Sequence, residues 1–491
     1  MRKLSYPLIR VCALLLSTVM LLACSLTAIG ESLTTDYTAL TWSDAFTQLR
    51  TRMEKEYAFT DWKGVNWVAL GETFGAKIQA AQSANDFTAY YLALRGFIHS
   101  IPDGHVHVTN LKPLDDQFIG GGFGFAVTTL DDGRTVISWL DPTSPAAAAG
   151  LLTGDELLTW NGLPVQIALE QVVPIFDSNA ATAENVRAKR AVYLTRASVG
   201  AQAQLTCQSS NSKTVSVTLT AYDDGRLSIK KCYPAAVLSD KIREMYQGID
   251  SDEPTPDAMV QPTMLNDNIG YIRIWGEVDA DLAQTGNMVS TLELFRDAIG
   301  TMIDNGCKGL IIDLRNNLGG EDAMSAAMLG SFYAQPAFYE YQNVYDETTG
   351  ARAIVKPDGS DTTALMILPA DRVFTGRVIA LINLKCVSSG EGLALGIRNL
   401  PNGDTLGFYG THGSFGLCGP EANLPGGLTV GWPSGQSLDA DKCIQVDSRD
   451  MVGGVAPTIR VPMNQENALR VAAGEDVELD MAIQALGGKA E

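Results

Sequence analysis

At 491 residues the chain exceeds one ordinary domain, so two or three folded units are expected. Hydrophobic residues make up 46% and charged residues 19%, enough apolar material for real cores. Acidic residues number 56 against 36 basic, and the formal net charge of -20 argues against nucleic acid or an anionic membrane surface as the main partner.

The chain opens on Met1-Arg2-Lys3, followed by an apolar run over residues 11–23 that ends in Leu21-Leu22-Ala23-Cys24. A positive start, an apolar middle and a small residue before a cut describe a secretory signal, too short for an ordinary membrane span. Leu-x-Ala-Cys also resembles the bacterial lipoprotein signal, which implies acylation of Cys24. Residues 1–24 are therefore read as a lipoprotein-type signal peptide and 25–36 as a linker, giving a secreted or lipid-anchored protein of the cell envelope. No later stretch is long and apolar enough to cross a bilayer, so the membrane enters only through the N-terminal anchor.

Setting aside Cys12 and Cys24 leaves six cysteines, and export permits disulfides; Cys207 with Cys232 and Cys418 with Cys443 are the candidate bridges. There is no Cys-x-x-Cys pair and no His-Glu-x-x-His, so neither a metal nor an organic cofactor is implied. Cys386 reads as a buried packing residue.

Residues 42–100 carry helical periodicity. Phe46, Leu49, Met53 and Tyr57 recur at three- and four-residue steps, as do Phe87, Tyr90, Tyr91, Leu94 and Phe97. A small helical bundle over residues 37–112 is expected, ending where Ile101-Pro102-Asp103-Gly104-His105-Val106-His107-Val108 breaks the helix and begins a strand. His105 and His107 lie in this turn; the remaining histidines are His99 and His412.

Short strands and turns follow from Gly120-Gly121-Gly122-Phe123-Gly124-Phe125. Ser144-Pro145 then opens a short helix, and Gly154-Asp155-Glu156-Leu157-Leu158 leads to Asn161-Gly162. This ordered set resembles a PDZ domain, placed at 118–222 with a helical insertion over 174–197. The resemblance implies that the loop residues Gly122, Phe123, Gly124 and Phe125 capture a terminal carboxylate while a peptide adds as an extra strand. Residues 223–262 read as a linker.

From 263 to 485 strands alternate with helices. Asn268-Ile269-Gly270-Tyr271-Ile272-Arg273-Ile274, Gly309-Leu310-Ile311-Ile312-Asp313-Leu314-Arg315 and the run over 378–384 read as strands, with helices over 292–303 and 321–329. That alternation implies a largely parallel, layered sheet with function at the strand carboxyl ends. Two special loops fall there: Arg315-Asn316-Asn317-Leu318-Gly319-Gly320, whose glycines can aim backbone amides inward, and Val387-Ser388-Ser389-Gly390-Glu391 at a strand-to-helix junction. Ser388 and Glu391 also fit a capping box.

A PDZ-like module ahead of Gly-Leu-Ile-Ile-Asp-Leu-Arg-Asn-Asn-x-Gly-Gly and then Ser-Ser-Gly-Glu resembles the carboxyl-terminal processing (tail-specific) serine peptidases. The resemblance runs on to Gly454-Val455-Ala456-Pro457. It implies a multidomain α/β protein with a ClpP/crotonase-like layered α/β catalytic domain that acts on proteins or peptides. Ser388 would be the nucleophile, and the amides of Ser389 and of the Gly319-Gly320 turn the oxyanion donors. The family's usual lysine turn is replaced by Gly410-Thr411-His412-Gly413-Ser414, with Ser414 where lysine would stand. The tricorn-like branch instead draws a histidine base from a turn that Asp103-Gly104-His105 resembles, which assigns the base to His105, with His412 as its rival and His107 behind. No glutamate stands at the expected acid position, leaving Asp450 or Asp447 to orient the imidazole. The alternative is a non-catalytic peptide- or lipid-binding protein on the same fold, as in proteins similar to interphotoreceptor retinoid-binding protein.

Overall fold

The structure is a computed structural model that describes residues 34–209, 212–232, 258–282, 286–357 and 362–489. The expected signal peptide and the acylation site at Cys24 lie outside these residues.

Helices α1 (Trp42–Glu56), α2 (Trp67–Ala84) and α3 (Phe87–His99) follow the apolar periodicity. Each starts on a polar cap: Thr41, Asn66 and Asp86 accept the amides of Asp44, Ala69 and Ala89, supplying partners that a helix start otherwise lacks. Their shared core includes Phe46, Leu49, Tyr90, Tyr91 and Phe97, and it also takes in Ala422, Leu424, Leu428, Val430 and Trp432 from a distant hairpin. The helices therefore pack on the C-terminal half of the chain. Residues 34–36, expected in a linker, form strand β1 (Thr34–Asp36), parallel to Glu421–Leu424, because pairing there satisfies backbone groups along the hairpin edge. On the other edge β2 (His107–Val108) pairs with Val430 and Gly431, which fixes the turn that carries His105.

The middle module is built on β3 (Gly121–Gly122), β4 (Phe125–Thr129), β5 (Thr135–Leu140), β6 (Glu156–Trp160), α4 (Val165–Gln171), α5 (Ala183–Leu194), β7 (Gln202–Gln208) and β8 (Thr214–Thr220). The main sheet is antiparallel in the order β8-β7-β6-β5-β4, over a core of Phe125, Val127, Ile137, Leu157, Trp160 and Leu205. Its last strand, β4, is flanked by α5, with Val192 packed on Ala126. The segment after this module was expected to be a linker, yet it folds back as α6 (Leu227–Cys232) and places Ile229 on the same patch. The Asp224 carboxylate holds it there, accepting from the Ser228 amide, the Ser228 hydroxyl and Arg196.

The third region contains β9 (Val260–Met264), β10 (Ile269–Ile274), α7 (Thr291–Asp304), β11 (Gly309–Asp313), α8 (Asp322–Leu329), β12 (Arg377–Leu381), α9 (Ser389–Arg398), β13 (Gly403–Gly407) and β14 (Ile459–Arg460). The sheet order is β9-β10-β11-β12-β13-β14, with only β9 antiparallel. Every residue of β10 and β11 is buried, as apolar runs covered on both faces require. Full burial of each large aliphatic side chain there contributes about 1.5–3 kcal/mol. Register places Ile269 beside Gly309 and Gly309 beside Arg377, so β10, β11 and β12 end level and deliver the loops after 274, 313 and 381 to one rim. The charged residues of the Asp-Leu-Arg motif are structural. Fully buried Arg315 pairs with Asp313 at 2.7 Å, Asp476 at 2.7 Å and Glu478 at 3.0 Å, locking the sheet to the C-terminal helix Val477–Ala485.

Neither candidate disulfide forms. Cys207 is a free thiol facing the core of the middle module, and Cys443 is free and exposed, while Cys418 is disulfide-bonded.

Candidate active site

Ser388 caps α9 with φ 58° and ψ −133°, a conformation that costs a residue with a Cβ about 1–3 kcal/mol and persists only when its surroundings impose it. Those surroundings are tight. A Cβ at Gly390 would fall 2.3 Å from Asn317 Oδ1, and one at Gly392 would fall 2.0 Å from the Tyr339 hydroxyl, so the helix start accepts only glycine at both positions. The expected capping box is present at this helix start, with Glu391 accepting the Ser388 amide at 3.3 Å. The same carboxylate accepts from the Thr411 hydroxyl and the amides of Gly413 and Ser414, which binds the 411–414 turn to the start of α9. Burial pushes the Glu391 carboxyl up to about 8, against these donors, all of which favour its anion.

Ser414 joins the serine to a remote part of the chain. Its carbonyl accepts the Ser388 amide at 3.1 Å, and its hydroxyl accepts the Gly104 amide at 2.9 Å. His105 is the next residue. The Asp103 carboxylate accepts the His105 amide at 2.9 Å, and its Oδ1 lies 3.6 Å from the ring Nδ1, a charge contact slightly beyond hydrogen-bond length. Asp103 is itself fully buried and accepts the Tyr57 hydroxyl at 2.9 Å. Beneath it lies Lys63, whose ammonium pairs with Asp447 at 2.6 Å and donates to the Pro102 carbonyl at 2.9 Å. Burial opposes a charge on His105, but the Asp103 carboxylate, with Asp447 and Glu391 behind it, outweighs that and holds the imidazole above its ordinary value. Burial also works against the Asp103 anion, and Lys63 and His105 overcome it, keeping the carboxyl well below the usual range.

The glycine loop after β11 closes on the serine from the other side. Gly319 has φ 78°, and a Cβ there would lie 2.5 Å from Ser388 Cβ, so this approach needs glycine. Its amide is engaged by Asn317 Oδ1 at 2.8 Å, which corrects the expectation that Gly319 is an oxyanion donor. The amides of Gly320 and Ser389 have no acceptor among the described residues and remain candidates.

Residues 268–461 match the family model for peptidase family S41. This part of the chain is a peptidase family S41 domain. Among solved structures, mature CPAF superposes with a TM-score of 0.63 at 16% identity, covering 91% of this chain and 97% of that one. A mutant form of CPAF gives a TM-score of 0.64 at 15% identity over 92% of this chain and 98% of that one, so the fold extends beyond the S41 domain to nearly the whole chain. A search of curated proteins finds no match.

The other candidates separate clearly. His412 is buried behind Gly104, with Nδ1 3.1 Å from the Ser414 hydroxyl; burial, helped by Lys189, His105 and Lys63, pushes its imidazole down to about 3. It thus packs as a neutral ring supporting the His105 turn. His107 points along the strand edge, with Nδ1 3.1 Å from the His105 carbonyl and Nε2 3.9 Å from Glu421. Asp450 was a candidate orienting acid; its side chain is 90% exposed and, among the described residues, pairs only with Arg449, so the structure removes it from the site. Asp447, the other candidate, is buried, but it accepts the Phe415 amide at 2.7 Å and pairs with Lys63, one step behind Asp103. Asp103, whose carboxylate faces the His105 ring, is the candidate acid that sequence reasoning missed. Its signal was present in Asp103-Gly104-His105, where the acid lies two residues from the imidazole; Lys63 and Tyr57 gave no local signal.

The loop expected to capture a peptide is otherwise occupied. Gly122 lies in β3 between Arg196–Ala197 and Tyr222–Asp223, Phe123 and Phe125 are buried against Trp160, and a Cβ at Gly124 would meet Ser144 Cβ at 2.3 Å. Strand pairing at Gly122 and the core burial of Phe123 and Phe125, with α5 and α6 packed on β4, correct the assignment of Gly122, Phe123, Gly124 and Phe125 as peptide-binding residues.

Proposed function

We propose that the chain is an exported serine endopeptidase that cleaves polypeptides by acyl transfer, with Ser388 as nucleophile, His105 as base and Asp103 orienting the imidazole. The observation that carries this reading is the Ser414 bridge, which ties the Ser388 amide and the residue before His105 to one side chain and its own carbonyl. With Asp103 facing Nδ1, the proton of neutral His105 sits on Nδ1 and leaves Nε2 to accept the Ser388 proton. The serine oxygen attacks the scissile carbonyl carbon as the C=O π pair moves onto the carbonyl oxygen, and the Ser389 and Gly320 amides meet the charge on that carbonyl oxygen. The imidazolium protonates the departing amine, and water then releases the acyl group with His105 again as base.

Export and anchoring through Cys24 complete the proposal and rest on the leader alone. Cys24→Ala should abolish incorporation of a labelled fatty acid; unchanged labelling would exclude that site.

The direct test is a fluorophosphonate probe, which should modify wild-type protein at Ser388 but not Ser388→Ala. A binder on this fold would hold peptide in stoichiometric complex without being labelled, and that outcome would overturn the enzyme reading.

A further inference from the structure

The side chain of Ser389 lies at the seam between the two loops that carry the candidate oxyanion amides. It is fully buried. Its Oγ lies 2.8 Å from the Gly320 carbonyl oxygen and 2.9 Å from Asp322 Oδ1, while its own carbonyl accepts the Ser325 hydroxyl at 2.9 Å. One hydroxyl therefore touches the residue that contributes the Gly320 amide, the first turn of α8 and, through its own backbone, the first turn of α9. The Ser325 hydroxyl on the Ser389 carbonyl also joins α8 to the start of α9, but the Ser389 hydroxyl is the side-chain group that reaches the Gly320 peptide itself. Gly320 is otherwise fixed from behind, where a Cβ would fall 2.2 Å from the Glu277 carbonyl oxygen. Oxyanion stabilisation depends on placing two donors at a set spacing, and a shift of a few tenths of an ångström weakens both bonds.

We propose that the Ser389 hydroxyl is a clamp that sets the spacing between the Gly320 and Ser389 amides, and that Asp322 is the positioning residue that holds this hydroxyl in place. The inference rests on the serine peptidase reading and adds a second role to Ser389 beyond its amide. Asp322 begins α8, and the Tyr339 hydroxyl approaches the same oxygen at 3.4 Å; burial pushes its carboxyl up to about 6, against the Ser389 and Tyr339 hydroxyls, which favour the anion. Neither the Ser389 hydroxyl nor Asp322 needs to contact substrate.

Ser389→Ala keeps the amide and removes the clamp. Its kcat should fall about 10- to 100-fold, less than the loss of a whole donor, with KM changed less than about twofold, as expected for an interaction made only in the transition state. The affinity of a peptide aldehyde, which forms a tetrahedral adduct, should fall by the same factor as kcat. Asp322→Ala should match Ser389→Ala, the double variant should be no worse than either, and Asp322→Asn, which retains an acceptor, should recover most of the loss. A wild-type kcat in Ser389→Ala, or a rise in KM equal to the fall in kcat, would sink the clamp. So would additive losses in the double variant. If those results came with normal fluorophosphonate labelling of wild type, the clamp alone would fail; absence of labelling in wild type would remove the peptidase reading and the clamp together.

Discussion

Two glycine loops in this molecule look alike in sequence and do opposite things in space. Gly121-Gly122-Phe123-Gly124 and Leu318-Gly319-Gly320 both offer small residues and backbone amides after a turn. In the first, glycine lets the chain's own strands and side chains approach: a Cβ at Gly122 would lie 2.3 Å from Asp224 Oδ2 and 2.6 Å from Arg196 Nη1. In the second, glycine lets the loop approach Ser388 while the Gly320 amide stays without a partner among the described residues and Leu318 stands 55% exposed. A glycine cluster thus reports only that something comes close. Whether that is the protein or a ligand follows from which donors already have acceptors.

The contrast is sharpest at the serine itself. His105→Ala should lower kcat by about four to six orders of magnitude, the scale set by removing a triad member. A His412→Asn variant that folds should lose far less, because His412 supports the turn through Ser414. The reverse order, read from kcat under saturating peptide, would exchange the two histidines.

The next largest contrast is between the loops. Gly319→Ala should reduce kcat by about 10²- to 10³-fold, since the added Cβ collides with Ser388 and the positive φ disfavours alanine. Gly122→Ala should destabilise the middle module by about 1–3 kcal/mol through overpacking and leave kcat of the folded fraction unchanged. Chemical denaturation and active-site titration separate the two. Equal kinetic effects would mean that the first loop also serves the site.

A third test concerns pH. His105 works as a base only when neutral, and the Asp103 carboxylate holds its protonated form above the ordinary value of 6.5, so kcat/KM should rise with pH through a limb above 6.5. Asp103→Asn removes that attraction and leaves burial, which lowers an imidazole pKa, so the limb should move down even as kcat falls. The same sign governs stability. The raised pKa stabilises the fold below 6.5, and the benefit is lost as pH climbs through the folded value. A limb unmoved by Asp103→Asn would leave the carboxylate as a backbone anchor only.

Much of this arrangement is legible in the sequence. Apolar runs mark β10, β11 and β12, and the three- and four-residue steps in α1 and α3 mark the helices, because burial writes its period into sequence. Ser388 is legible because a strand-to-helix junction with tight glycines has few uses. Three things are not. Residues 34–36 and α6 read as linkers because their partners are remote in the chain or only weakly apolar. The peptide loop is misread because glycine spacing does not reveal that α5 and α6 lie along β4. The acid is misplaced because the motif position near residue 450 draws the assignment, while the fold solves the same electrostatic problem two residues from the histidine, backed by Lys63 from another helix connection.

The smallest expected effect tests that last correction. Asp450 carries φ 53°, a conformation that asparagine tolerates nearly as well as aspartate, so Asp450→Asn removes the charge without straining the loop. Its carboxylate is 90% exposed and 3.6 Å from Arg449, a geometry in which a salt bridge contributes little. Stability should therefore change by less than about 0.5 kcal/mol and kcat/KM by less than about twofold, with the pH limb unmoved. A shift of that limb in Asp450→Asn comparable to the one in Asp103→Asn would return the orienting role to the loop before Gly453 and leave Asp103 as a support for the turn.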